Sequence, residues 1–282
     1  MDLSQPQPPP HLRVTLGRTG RVVHRLGVAA SFGIGGRDLE AAVEEHGVSY
    51  LYWGSLRTRA FGAAVRALCR RGLRERLFLV VQSYSRLGCL VGPSLKLALR
   101  RLGVERADLL LLGWWNKPVS PGILAAARRL QEQGLVAHLG VSTHQRPLVP
   151  GFAGPDSPYD VVHLRYNAAH RGAERDVFPH LPPGPRAGLV AFTATRWGQL
   201  LGPAPGAPPG LRVPSAGDCY RFALARPELD VCLSGPADGE QLRAALRAVE
   251  RPMDQDELEW MRQVGDLHYR GSNLRARMGE RV

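Results

Sequence analysis

The sequence predicts a single (β/α)8 barrel. From about Val22, short β-branched or leucine-rich runs alternate with longer amphipathic segments, as in successive βα units around a parallel sheet. Four of those runs end at Tyr52, Gln82, Gly113 and Ser142, at intervals of about thirty residues, the length of one such unit. A chain of 282 residues is also close to what one such barrel fills. The expected organisation is a disordered tail over 1–13, with its proline run Pro8 to Pro10, and one barrel over 14–282.

Taken in order, strands are expected at Gly27–Ala30, Val48–Tyr52, Leu77–Gln82, Asp108–Leu112, Ala137–Val141, Val161–Tyr166, Leu189–Phe192 and Val231–Leu233. Helices are expected at Arg37–Glu45, Thr58–Arg70, Pro93–Leu102, Gly122–Gln133, Ser215–Ala225 and Asp238–Ala248. Each carries apolar residues three and four apart, enough to cover one face of a sheet. Gly151–Pro158 replaces a clear helix after the fifth strand, and Gly202–Gly210 reads as a proline-rich loop after the seventh. Asp254 followed by Glu257 is a capping-box pattern that starts a last helix, Asp254–Val264, outside the eight-unit count.

Composition narrows the function. Hydrophobic residues are 44% and charged residues 22%, which suits a globule with a sizeable core. The formal net charge is +12, yet of 37 basic residues only Lys96 and Lys117 are lysines, and the arginines are scattered with no run of five like charges. That pattern does not point to nucleic acid. Cys69, Cys89, Cys219 and Cys232 show no CxxC spacing, no His cluster suggests a metal, and Cys69 and Cys232 fall in apolar runs. Reduced thiols and a cytoplasmic location are the expectation. No secretory h-region or stretch of eighteen apolar residues is present, so no membrane partner is expected.

Several segments together carry a resemblance. LGRTG at Leu16–Gly20 with VVHRLGV at Val22–Val28, GVSYLYWG at Gly47–Gly54, LRRLGVERADLLLLGW at Leu99–Trp114, QEQGLVAHLGVS at Gln131–Ser142 and GLVAFTATRWGQLLG at Gly188–Gly202 resemble, in order and spacing, the motifs of the aldo-keto reductases. The resemblance covers roughly residues 14–265. It implies an N-terminal β-hairpin that plugs the barrel floor, NADP(H) or, failing that, NAD(H) as cofactor, no metal, and a small carbonyl or alcohol substrate.

It also implies a catalytic tetrad of Asp, Tyr, Lys and His, and all four positions are substituted. Tyr52 stands at the Asp position, Arg57 at the Tyr position, Gln82 or Ser83 at the Lys position, and Gly113 at the His position. Hydride addition to a ketone builds alkoxide charge that a positioned acid must quench, typically worth about 10²–10⁴-fold in rate. Gly113 has no side chain to donate, and an arginine holds its protons too tightly to act as an ordinary acid. Tyr52, with Arg57 nearby to stabilise its phenolate, is one replacement acid, and His144, just past the fifth strand, is another. Lys96 belongs on a barrel helix, and only Lys117 reaches toward the mouth.

By the same resemblance Ser142 and His163 stand where the nicotinamide amide is held, with Thr143 in place of an Asn, and Phe192 where an aromatic stacks on the ring. Thr193 and Arg196 after the seventh strand, and Ser234 and Gly235 after the eighth, are candidate phosphate contacts. The segment His163–Asp176 is the densest polar cluster. Its Arg165, Asn167, His170 and Arg171 would bind an anion or form a salt-bridged loop with Glu174 and Asp176. Trp114, Trp115 and Asn116 are candidate substrate walls, and GIGG at Gly33–Gly36 reads as a simple turn into a helix. Two functions compete: an NAD(P)(H)-linked oxidoreductase with a relocated acid, and a non-catalytic nucleotide-binding or interaction protein that kept the barrel. A metal-dependent hydrolase lacks its His-x-His or paired carboxylates.

Overall fold

The computed structural model describes residues 8–54 and 57–277, with side chains described as far as Gly271. A hairpin of β1 (Arg13–Thr15) and β2 (Val22–His24) precedes the barrel. The barrel strands are β3 (Leu26–Ala29), β4 (Tyr50–Trp53), β5 (Phe78–Ser83), β6 (Ala107–Leu112), β7 (Val136–Thr143), β8 (Val161–Arg165), β9 (Gly188–Phe192) and β10 (Val231–Ser234). All eight pair in parallel and in chain order, and β10 closes the ring against β3. Around them run α1 (Gly36–His46), α2 (Arg59–Arg70), α3 (Gly88–Leu102), α4 (Pro121–Glu132), α5 (Val149–Ala153), α6 (Ala173–Asp176), α7 (Ala216–Leu224), α8 (Gly239–Val249) and α9 (Gln255–Arg277). This is the (β/α)8 barrel that the alternation predicts.

The strands are apolar on both faces because both faces are covered, as parallel sheets require. Tyr50, Phe78, Val80, Leu109, Leu111, Val161, Val190, Val231 and Leu233 point inward and pack one cluster, while Leu51, Leu79, Leu110 and Val162 pack outward against the helices. Leu16 and Val23 of the hairpin join the inward cluster, so the hairpin closes the N-terminal end of the barrel.

That closed end is fastened by three aspartates. Asp108 accepts a hydrogen bond from the backbone N–H of Leu79 and pairs with Arg21 at 3.1 Å and Arg74 at 2.9 Å. Asp230 accepts from Leu189 N–H and pairs with Arg186, and Asp160 accepts from Leu139 N–H and lies 3.3 Å from His138. Arg18 lies 3.9 Å from Asp160, so each carboxylate satisfies a neighbouring strand's backbone donor and faces an arginine at once.

Three expectations are corrected. Residues 1–7 of the expected tail lie outside the described residues, but Pro10–Leu12 form a 3-10 turn, Leu12 N–H donates to Pro9 O at 2.8 Å, and Leu12 is buried. A buried leucine anchors this segment, and β1 already begins at Arg13. The third helix starts five residues before Pro93, which sits exposed within it where the carbonyl it leaves unpaired can reach water. The last helix runs past Val264 to Arg277. Gly265 is no stop signal: a side chain there would collide with the Ala168 carbonyl, so the glycine serves close packing of α9. Its start is as expected, with Asp254 and Glu257 exchanging backbone hydrogen bonds of 3.1 and 2.9 Å. No described helix is long and apolar enough to cross a membrane.

Candidate active site

A cavity of about 770 Å³ opens at the C-terminal ends of the strands. Its floor is Tyr52, Gln82, Ser142 and His163, and its walls include Phe32, Tyr84, Trp114, Phe192 and Trp197. Among the described residues no Lys, Arg, Asp or Glu lines it, and no group of three metal-ligating side chains exists.

Strand alternation builds the floor in layers. Tyr50 and Tyr52 share the inward face of β4, so the deeper ring lies beneath the shallower one. Tyr50 is fully buried, stacks on Phe78 at 5.4 Å, and places its hydroxyl 2.7 Å from Nε2 of His163. Burial pushes the His163 pKa down to about 3, so the ring is neutral at neutral pH. Burial, and then the nearby Tyr52 phenol, raise the Tyr50 pKa well above its ordinary value. Tyr50 therefore remains a phenol, hydrogen-bonded to a neutral imidazole.

One layer higher, the Tyr52 hydroxyl donates to Gln82 Oε1, and Gln82 Nε2 reaches Ser142 Oγ at 3.4 Å. Ser142 Oγ also accepts the Trp114 backbone N–H at 3.0 Å. Gln82 lines the cavity and Ser83 does not, which assigns the inward position of β5 to Gln82. Arg57 lies outside the lining: its Nη2 donates to Gln82 O at 2.6 Å and its guanidinium lies over Trp53. Burial lowers its pKa, the Arg101 charge lowers it further, and electrostatic coupling to Tyr52 opposes the fall. Arg57 thus supports Gln82 from behind and acts on Tyr52 through its charge. Gly113 has its own role, because a side chain there would run into Gln82 Nε2 and the Tyr84 ring. The space of the missing side chain is already filled.

His144 stands on the rim, edge-on to Trp114 at 5.7 Å and to Phe192 at 5.3 Å. Burial, then the Arg165 charge, lower its pKa. On the far wall, Thr193, Ser234 and Gly235 line the cavity, with Thr195, Tyr220 and Gln241 beside them. The rim also holds backbone strain. The four described non-glycine residues with left-handed backbone are Trp114 (φ 53°), Thr193 (58°), Arg196 (53°) and Trp197 (51°), and three of them line the cavity. Such conformations cost on the order of 1–3 kcal/mol each and cluster where function imposes them.

Several expected site residues are employed elsewhere. Thr143 is buried off the cavity, where Oγ1 accepts Gln145 N–H at 2.9 Å. Arg196 is a correction to the phosphate assignment: it is buried and gives Nη1 to the His268 carbonyl of α9 at 3.0 Å. Trp115 is buried beneath the Arg86 guanidinium, Asn116 accepts from His144 N–H, and exposed Lys117 does not line the cavity. In the polar cluster, Asn167 secures its own turn and the Thr193 carbonyl, Arg171 pairs with Asp266, and Asp176 with Arg146. Arg165 alone among these is left without a hydrogen bond or salt bridge within the described residues.

Sequence reasoning missed Tyr50, Tyr84, Trp197, Tyr220 and Gln241. Tyr50 had a signal, since it lies two residues from Tyr52 on the same strand. Trp197 had none, because its exposure depends on the left-handed turn that carries it.

No family model matches the sequence, and no curated protein matches it. Among solved structures, the chain is similar to the aldo-keto reductase AKR11C1 from Bacillus halodurans, at TM-score 0.70 and 19% identity for the holo form and 0.68 and 18% for the apo form. Each alignment covers 91% of this chain and 99% of that one. It is also similar to the thermostable aldo-keto reductase Tm1743 in complex with the inhibitor epalrestat, at TM-score 0.70 and 23% identity, covering 90% and 99% of the two chains. The chain has the aldo-keto reductase fold.

Proposed function

We propose that this barrel is an aldo-keto-reductase-type oxidoreductase acting on a carbonyl or alcohol group at the cavity floor, with Tyr52 as the group that gives and takes the proton. The observation that carries this reading is the position of the Tyr52 hydroxyl: it lies in the cavity floor, tied to Gln82, with Ser142 next in the chain. A substrate oxygen above that row meets a phenol and a serine hydroxyl. Reversing the Gln82 amide lets Nε2 donate to the phenol oxygen and Oε1 accept from Ser142, which frees the Tyr52 proton for the substrate. Arg57 favours the phenolate left behind through its charge. His144 supports the rim and is too far committed to Trp114 and Phe192 to be the first choice of acid.

The fold implies a nicotinamide dinucleotide, which would supply hydride. The side chains fit its nicotinamide end: Phe192 offers an aromatic face, and Ser142 and His163 offer polar groups beside it. Thr195 and Gln241 offer neutral polar groups for the rest, whereas the Ser234 and Thr193 hydroxyls already donate to the Gly27 and Phe192 carbonyls. An additional phosphate fits poorly beside α8, since no described cation lines the cavity there and α8 opens with Asp238 as its cap and Glu240 in its first turn. The residues thus favour NAD(H) over NADP(H).

A second reading, a ligand-binding barrel without turnover, is favoured by one specific observation: among the described residues no Lys or Arg lines the cavity. Titration with NADH and NADPH, read by quenching of tryptophan fluorescence, tests the first reading, which expects saturable quenching that is stronger with NADH. No binding at millimolar cofactor would overturn it. Binding without turnover across an aldehyde and quinone panel would select the second reading.

A further inference from the structure

Arg165 is the last residue of β8, two positions above His163 on the same inward face, and its backbone pairs with Phe192 of β9. It therefore stands at the top layer of the barrel, beside two cavity-lining residues, Phe192 and His144. Its guanidinium is half-buried and makes no hydrogen bond or salt bridge with any described residue. The groups acting on it electrostatically are the Arg146 guanidinium and the Tyr269 phenol. Burial lowers its pKa, and the like charge of Arg146 lowers it further. The same positive field lowers the proton affinity of His144 and His170 nearby. Arg146 is already neutralised by Asp176 at 2.8 Å. Among the described residues no carboxylate pairs with Arg165.

A half-buried guanidinium with all five donors unspent, at the edge of an otherwise uncharged cavity, is a strong recognition element for a planar or tetrahedral anion. We propose that Arg165 is the anion subsite of this cavity, holding the carboxylate or phosphate end of a ligand whose apolar body lies between Trp114, Phe192 and Trp197. The inference rests on the small-molecule reading of the cavity, and it names the substrate class: a carbonyl or alcohol compound with an acidic tail. The tail stays at the β8 rim, while the reacting oxygen descends to Tyr52.

The test uses 4-carboxybenzaldehyde and its neutral analogue 4-methylbenzaldehyde, titrated into the full chain and into Arg165→Met and Arg165→Lys by tryptophan fluorescence. The wild-type protein should prefer the carboxylate by about tenfold or more, the scale of a charge-assisted hydrogen bond. Arg165→Met should lose that preference and keep the affinity for the neutral aldehyde, and Arg165→Lys should retain part of it. Equal preference in wild type and Arg165→Met, or no preference in wild type, overturns the subsite. If neither aldehyde binds the wild type, the reading of the cavity fails. Inorganic phosphate and acetate then decide the subsite by the His170 ring resonances. A shift in wild type that is absent in Arg165→Met upholds it, with the stronger of the two ions naming the preferred anion. No shift overturns it.

Discussion

The two ends of this barrel treat charge in opposite ways. At the closed end, Asp108, Asp160 and Asp230 each hold a strand backbone and meet an arginine, and Asp108 meets two. At the open end, no described Lys, Arg, Asp or Glu lines the cavity, and Arg165 at its edge pairs with no described acid. Strain divides in the same way: every described non-glycine residue in a left-handed conformation lies at the open end. The difference teaches where the sequence is constrained by folding and where it is not. Groups that only stabilise are saturated with partners, whereas groups left open on the other face are available to a ligand.

The sharpest way to break this division is to exchange its terms. Asp108→Ala at the closed end leaves the Leu79 N–H without its acceptor and two arginines without their carboxylate, though both keep backbone carbonyl partners. It should cost about 3 kcal/mol, the low end for a broken buried pair because both arginines reach solvent. Urea denaturation checks this, and ligand affinity in the folded protein should not change. Thr193→Gly at the open end should act in reverse. It should raise stability by about 1 kcal/mol by relieving left-handed backbone at a β-branched residue, while weakening ligand binding. A destabilised Thr193→Gly variant would show that this turn is not strained.

The smallest effect is a titration. Burial, then Arg165, Arg196 and Arg146, hold the His170 pKa down to about 4 from an ordinary 6.5. A histidine with a depressed folded pKa contributes stability that is present above about pH 6.5 and is lost as pH falls toward 4. Arg165→Met removes one of the three cations, so the His170 pKa should rise in an NMR titration, and acid destabilisation over that window should become shallower. An unchanged His170 pKa would place Arg165 farther away than the geometry has it.

The eight strands and most helices were legible because burial on both faces leaves unbroken apolar runs, and amphipathic helices keep their period. The end of α9 was not, because Gly265 reads as a stop in sequence and as a contact with Ala168 in space. The site was legible where strand ends carry it. Tyr52, Gln82, Ser142, His163 and Phe192 all line one cavity, from inward positions at the top of β4, β5, β7, β8 and β9. It was illegible where loops carry it: Arg196 turns to α9, Asn167 and Arg171 are consumed by local hydrogen bonds, and Trp197 enters the wall from a strained turn. Alternation along a strand assigns faces, and nothing comparable assigns them in a loop.

The central claim is that the hydroxyl of Tyr52 carries the proton in place of the substituted tetrad. Its most direct test is the turnover rate of Tyr52→Phe with NADH and the best aldehyde of the panel. A fall of about 10²-fold or more in kcat, with cofactor affinity unchanged, is the expected result. Full activity in Tyr52→Phe would contradict the account.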